Sequence, residues 1–260
     1  MNAANPVILE RALTRPPKEA EPQLRGDSVG SDRYTCRDYL QREYQKVWHT
    51  VWNIGGVAYQ MPEPGDYLTT ELGIDSIIMA RQEDGSVKAF FNSCPHRGTR
   101  ITEAEDGHVQ EFSCPYHGWT FDQDGGCVKV PSEGPKGNPI KKRKLESFPT
   151  VERYGLVWVW MGYKNEPDKE PFPMPYYEDD GWECYYMETE FENNVTNLVE
   201  NFMDVPHTVF VHKGWFRDRT VTRVPMTVER TEDSVLVTYD QPKDEIGWTN
   251  LILNPKNLPM

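Results

Sequence analysis

The sequence of 260 residues holds no apolar run approaching the roughly 20 residues that a membrane-crossing helix needs. A bilayer-spanning role is therefore set aside, in keeping with a mean hydropathy of −0.71. Positive charge is also in short supply. Lys and Arg number 28 against 41 Asp and Glu, a formal net charge of −13, so a nucleic-acid backbone would be repelled rather than bound. The opening stretch, "MNAANPVILERALTRPPKEAEPQLRG", has only Val7 to Leu9 as an apolar run and carries Glu10 and Glu19, which fits neither a secretory nor a transit peptide. The cytoplasm is the expected compartment. Cysteine is scarce and odd in number, five residues, which disfavours a disulfide framework and makes metal ligation the better reading of a cysteine near histidines. No flavin or nicotinamide motif and no internal repeat is present. Of only six histidines (49, 96, 108, 117, 207 and 212), four fall inside two compact motifs.

Hydrophobic patterning divides the chain. Residues 1 to about 30 are rich in proline and charge and read as an arm. Ser31 or Asp32 can cap a helix whose apolar positions are Tyr34, Leu40, Tyr44, Val47 and Trp48, ending near Thr50. From Val51 to about Gly162 short apolar runs alternate with turn residues, and Asp84-Gly85 and Asp124-Gly125 mark hairpins, which predicts a small sandwich or barrel. The proline-rich stretch "KNEPDKEPFPMPYYEDDG" then reads as a linker. Beyond it, "WECYYMETEF" predicts a strand and "NNVTNLVENFMD" a helix. "TVTRVPMTVER" with "SVLVTYDQP" predict paired strands, and "WTNLILNP" a further one. The expected organisation is an N-terminal arm and helix over 1–50, a β domain over 51–163, a linker over 164–181 and a second domain over 182–260.

The first motif is Cys94-x-His96, then seventeen residues, then Cys114-x-x-His117, carried in two matched loops, "CPHRG" and "CPYHG". Proline after each cysteine favours an extended entry, and glycine directly after His117, or one residue later after His96, allows a tight turn. Two thiolates on one iron and two imidazoles on the other form the ligand set of a Rieske [2Fe-2S] centre. A zinc site is the competing reading, although structural zinc sites use Cys-x₂₋₄-Cys pairs. Neither loop has a further cysteine to bridge across the cluster, which points to an oxygenase or ferredoxin type rather than the high-potential respiratory one. Trp119 is expected to cover the cluster from solvent and His108 to lie at the surface. Cys36, Cys127 and Cys184 are read as ordinary small residues. "KKRK" at 141 to 144 is a solvated loop or a docking patch for an acidic electron carrier.

The second motif lies in "NLVENFMDVPHTVFVH". Glu200, Asp204 and His207 are spaced i, i+4, i+7 on one helical face. Pro206 removes a backbone donor and disfavours helix at Val205, so the helix should break near Asp204 and restart with Pro206 in its first turn. On a straight helix His207 and His212 would diverge by about 140°. An irregular turn is needed to aim both rings at one metal.

Together the motifs resemble the α subunit of Rieske non-haem iron oxygenases, the ring-hydroxylating oxygenase family. The resemblance covers the β domain, the strand "GLVWVWMG", the linker and the start of the catalytic domain. It implies an α+β chain in which an all-β Rieske domain precedes a helix-grip (START-like) catalytic domain, incomplete by Met260. It also implies that the cluster at Cys94, His96, Cys114 and His117 passes electrons to a mononuclear Fe(II) held by His207 and His212, which activates O₂ to hydroxylate an aromatic or other apolar ring. In such proteins the acid before the first histidine bridges an iron-ligating histidine and a Rieske histidine of the neighbouring subunit, here Asp204, His207 and His117 of an adjacent chain. Asn201 matches a polar residue near the iron. The implied partners are an NAD(P)H-dependent reductase, a ferredoxin in some systems, and further copies in a trimer. The family's third iron ligand is a carboxylate well over a hundred residues past the second histidine, whereas forty-eight residues follow His212 here. A Rieske electron carrier and a truncated or regulatory chain without oxygenase chemistry are the alternatives.

Overall fold

The computed structural model describes residues 30–134, 143–162, 166–212, 224–231 and 235–239. They fall into two compact units, Arg37–Met187 and a second that joins residues up to Cys36 with Glu188 onward.

Short helices open the described chain: α1 (Asp32–Thr35) and α2 (Arg37–Lys46). The helix expected over 31–50 is interrupted, because Cys36 takes an extended conformation with φ −88° and ψ 122°. Of its anticipated apolar face only Tyr44 is buried. Its hydroxyl donates to the Leu72 carbonyl at 2.9 Å.

The Arg37–Met187 unit is a stack of β layers. Its strands in chain order are β1 (Trp52–Val57), β2 (Asp66–Leu72), β3 (Asp75–Arg81), β4 (Val87–Phe91), β5 (Asp106–His108), β6 (Phe112–Ser113), β7 (Thr120–Phe121), β8 (Cys127–Lys129), β9 (Ser147–Phe148), β10 (Thr150–Arg153) and β11 (Leu156–Trp160). A five-stranded sheet in the order β5-β2-β3-β4-β9 is flanked by two three-stranded sheets, β1-β11-β10 and β6-β7-β8. The alternation of strand side chains explains the layering. Along β3, Ile77 and Met79 join one apolar core with Met61, Val157 and Val159, while Ile78 and Ala80 join a second with Phe112, Trp119, Phe121 and Leu145. Ala89 and Phe90 on β4 divide in the same way. A strand covered on both faces reads as an unbroken apolar run, as "SIIMA" does. The second core also contains Cys94 and Cys114, so the two Cys/His loops grow out of it. Both anticipated hairpins form, with Gly85 at φ 82° and Gly125 at φ 78°.

In the other unit, α3 (Val195–Met203) is capped by Asn194, whose side chain accepts the Asn197 N–H at 2.8 Å. A 3₁₀ turn at Val205–His207 and α4 (Thr208–Val211) follow. β12 (Met226–Arg230) and β13 (Val235–Tyr239) pair antiparallel, as expected for the two stretches that contain them. The strand anticipated in "WECYYMETEF" does not form: residues 182–191 carry no sheet pairing, and Tyr185 and Met187 are largely exposed. Alternating side chains supply strand propensity, but a strand also needs an edge to pair with. The stretch "WTNLILNP" lies outside the described residues. Among the described residues no helix is long and apolar enough to cross a membrane.

Candidate metal centres

The two loops of the first motif are near-copies in backbone geometry. Gly98 N–H donates to the Cys94 carbonyl at 2.8 Å, and Gly118 N–H to the Cys114 carbonyl at 2.9 Å. Cys94 N–H reaches the Thr99 carbonyl and Cys114 N–H the Trp119 carbonyl, each at 2.8 Å. Both turns close through a left-handed glycine, Gly98 at φ 71° and Gly118 at φ 66°. This is why each loop needs glycine four residues after its cysteine.

The turns bring the four side chains to one end of the unit in two layers. Cys94 and Cys114 are buried, while His96 and His117 are exposed above them with ring centroids 4.8 Å apart. Burial pushes the Cys94 thiol up from its ordinary range, and the adjacent Cys114 thiol pushes it the same way. The buried Cys94 thiol therefore resists becoming a thiolate unless a cation lies beside it. His96 is shifted down, first by desolvation and then by the nearby charges of His117, Arg143 and Arg97. Its imidazole therefore favours the neutral form that binds metal. Among the described residues no group of three or more His, Cys, Asp and Glu side chains is gathered to hold a single metal ion. A two-iron cluster asks for only two protein ligands per iron, and the pairs present, sulfur inside and nitrogen outside, fit that demand.

Trp119 is buried and stacks on His96, with centroids 4.7 Å apart and planes within 4°. It thus packs against one side of the loops. Tyr116 lies against His117 at 3.8 Å, and its hydroxyl accepts from Arg97 at 3.2 Å. His108 is exposed and paired with Asp66 at 2.9 Å. Cys36 and Cys184 are exposed, and Cys127 is buried.

Two supports escaped the sequence reading. Asn92, buried just before the first loop, accepts the Ile101 and Thr102 N–H groups at 3.0 and 3.1 Å and donates to the Thr102 carbonyl at 2.8 Å. It ties the far side of that loop to its entry. Arg143, read only as part of a basic run, has its guanidinium 4.9 Å from the Trp119 ring. No spacing rule signals either residue.

The second motif takes the broken form its proline implies. α3 ends at Asp204 with φ −89° and ψ 61°, and Pro206 stands in the 3₁₀ turn that follows. The break places the His207 and His212 rings 5.4 Å apart, edge to face. His207 Nδ1 hydrogen-bonds the Asp204 backbone carbonyl. As the donor in that bond, Nδ1 carries the ring proton and leaves Nε2 as the free lone pair. Two histidines so arranged fit as partial ligands of a mononuclear iron, the kind of site that takes two imidazoles and a carboxylate. Asp204 and Asn201 are exposed. Glu200 faces elsewhere, accepting from the Tyr34 hydroxyl at 2.5 Å and pairing with Arg33 at 3.1 Å.

The loop geometry fits a Rieske-type centre, and residues of both loops fall inside a matching domain of known proteins. Residues 51–149 match the Rieske [2Fe-2S] domain, and residues 191–253 match the vanillate O-demethylase oxygenase C-terminal domain. The chain thus carries a Rieske [2Fe-2S] domain followed by a match to an oxygenase C-terminal domain, and its fold is mixed helix and sheet with an all-β Rieske domain. It is 35% identical over 157 residues to the benzene 1,2-dioxygenase subunit alpha of Pseudomonas putida, covering 60% of this chain and 35% of that protein. It is 34% identical over 162 residues to the naphthalene 1,2-dioxygenase large oxygenase component of a Ralstonia species, covering 61% and 34%. The matched region thus spans about a third of the length of these relatives. A quaternary ammonium Rieske monooxygenase, CntA, in complex with L-carnitine superimposes with a TM-score of 0.58 at 20% identity, over 80% of this chain and 61% of that one. This likeness shows the fold alone.

Proposed function

We propose that the chain is the oxygenase component of a Rieske system that hydroxylates an aromatic or other apolar ring with O₂. The observation that carries the reading is the pair of loops with matching backbone hydrogen bonds, carrying two buried thiols and two exposed, neighbouring imidazoles, followed in the same chain by the His207–His212 pair. When bound, the cluster supplies electrons singly and the mononuclear iron supplies O₂ activation beside the substrate. Cys94, His96, Cys114 and His117 hold the cluster, and His207 and His212 supply two ligands of the iron. The Asp204 carbonyl fixes the His207 tautomer. The Asp204 carboxylate is the hydrogen-bond bridge toward a Rieske histidine of an adjacent chain, and Asn201 lies by the iron. The relatives' names, benzene and naphthalene dioxygenases, support an aromatic substrate.

The division of labour follows the reading of the sequence, with the arm and helix over 1–50, the Rieske domain over 51–163, a linker over 164–181 and the mononuclear-iron domain over 182–260. Electrons come from an NAD(P)H-dependent reductase, through a ferredoxin in a three-component system. The assembly is a trimer or a multiple of one, working in the cytoplasm.

Metal analysis of the complete protein tests the proposal. About three irons per two acid-labile sulfides are expected, and His207→Ala should lower this to about two while abolishing O₂-dependent product. His117→Ala should instead remove the visible and EPR signal of the cluster. About two irons in the parent protein would leave an electron carrier as the better account, and product formation that survives His207→Ala would contradict the assignment of His207 to the mononuclear iron.

A further inference from the structure

Resting on the assignment of His96 as a cluster ligand, we propose that Arg143 is a positioning residue of the Rieske centre. Its guanidinium, laid on the Trp119 indole, holds that ring against His96 and fixes a positive charge beside the histidine-bound side of the cluster.

The backbone aims this side chain. The Arg143 carbonyl accepts the Cys127 N–H at 3.0 Å, Lys144 bridges to Gly126, and Leu145 N–H donates to the Gly125 carbonyl at 2.8 Å. Leu145 is anchored in the same core as both cysteines. The segment is thus pinned to the β7–β8 hairpin immediately beyond Trp119. From that base the guanidinium comes within 4.9 Å of the indole ring. The indole lies parallel to His96, 4.7 Å away. A cation on a tryptophan face is an attractive pairing, stronger where the ring is shielded from water, and Trp119 is 4% exposed. The chain of contacts Arg143–Trp119–His96 therefore runs from the surface to an imidazole that the cluster would use.

The arrangement has two consequences. The stacked indole restricts rotation of the His96 ring about its bond to the backbone, as outer contacts do for metal-binding histidines generally. The guanidinium stays charged at every working pH and favours an added electron on the nearby cluster. It thereby raises the reduction potential.

The test compares the full chain carrying its cluster with its Arg143→Gln and Arg143→Lys variants, by EPR-monitored redox titration at low salt. Each sample is normalised to its own iron and sulfide content, so loss of cluster is scored separately from a change in its properties. Arg143→Gln is expected to disfavour reduction about threefold, roughly 30 mV for a one-electron couple. Arg143→Lys should retain the parent potential, and the difference should shrink as salt is raised. The EPR line shape of Arg143→Gln should also move as the indole loosens from His96. If the potential and line shape of Arg143→Gln both equal those of the parent at low salt, the proposal is overturned while the Rieske assignment stands. A parent protein without any cluster signal overturns both.

Discussion

Arg81 is a buried cation whose demands are met almost entirely by backbone. Its guanidinium donates to the Met61 carbonyl at 2.8 Å, the Gly85 carbonyl at 2.7 Å and the Ala58 carbonyl at 3.2 Å, and it pairs with Glu152. It joins the end of β3 to the segment after β1 and to β10. Arg81→Ala removes the side-chain donor from the Met61 and Gly85 carbonyls, while the Ala58 carbonyl keeps the Met61 N–H, and it leaves Glu152 without its cation, at a cost of about 3 kcal/mol. A lower urea midpoint for the full chain, with unchanged slope, is the expected result. Nothing in the sequence marks Arg81, Asn92 or Arg143 for these roles, because each is fixed by tertiary contacts to distant backbone or rings. The four Cys and His positions of the first motif, by contrast, stand out in the sequence. Thiol and imidazole side chains are few in this chain, and their spacing within two matched loops restricts the chemistry they can serve.

Among the elements, the paired loops offer an internal control. Gly98 and Gly118 share a left-handed conformation, but a Cβ at Gly98 would meet nothing within 4 Å, whereas one at Gly118 would come 3.1 Å from Pro131 Cγ. Both Gly98→Ala and Gly118→Ala should therefore destabilise their loops by about 1–2 kcal/mol from backbone strain. Gly118→Ala should lose more, measured as a lower temperature for bleaching of the cluster absorbance. The β3–β4 hairpin carries a pH dependence of its own. Ser86 donates from both hydroxyl and backbone N–H to Asp84, and these bonds hold its carboxyl below the ordinary range. An acid depressed in the folded state stabilises above its unfolded value, about 4, and loses that contribution as pH falls through the folded value. Asp84→Ala should accordingly flatten the decline in melting temperature on acidification below pH 4, relative to the parent.

The same scale shows where patterning succeeds and fails. The helix break at Asp204 was readable because proline acts locally on its own backbone and its neighbour's. The missing strand at 182–191 was not readable, because pairing depends on a partner edge that local alternation does not reveal. The split of the 31–50 helix at Cys36 had no signal either, since cysteine is no helix breaker.

At the level of the whole molecule, two compact units each carry one of the motifs: the Cys/His loops in Arg37–Met187, and the His207–His212 pair in the unit that includes Glu188 onward. The domain order that the comparisons find, Rieske before oxygenase C-terminal domain, is the order of these motifs along the chain. The resemblance read from a handful of residues therefore agrees with two domain matches in the same order along the chain. The central claim is that Cys94, His96, Cys114 and His117 hold a Rieske cluster, and pulsed EPR of the reduced full chain tests it most directly. The account predicts strong hyperfine coupling to nitrogens of two histidines on the reduced iron, and loss of that spectrum in His96→Ala and in His117→Ala. A cluster spectrum without histidine nitrogen coupling, or one that persists in both variants, would contradict it.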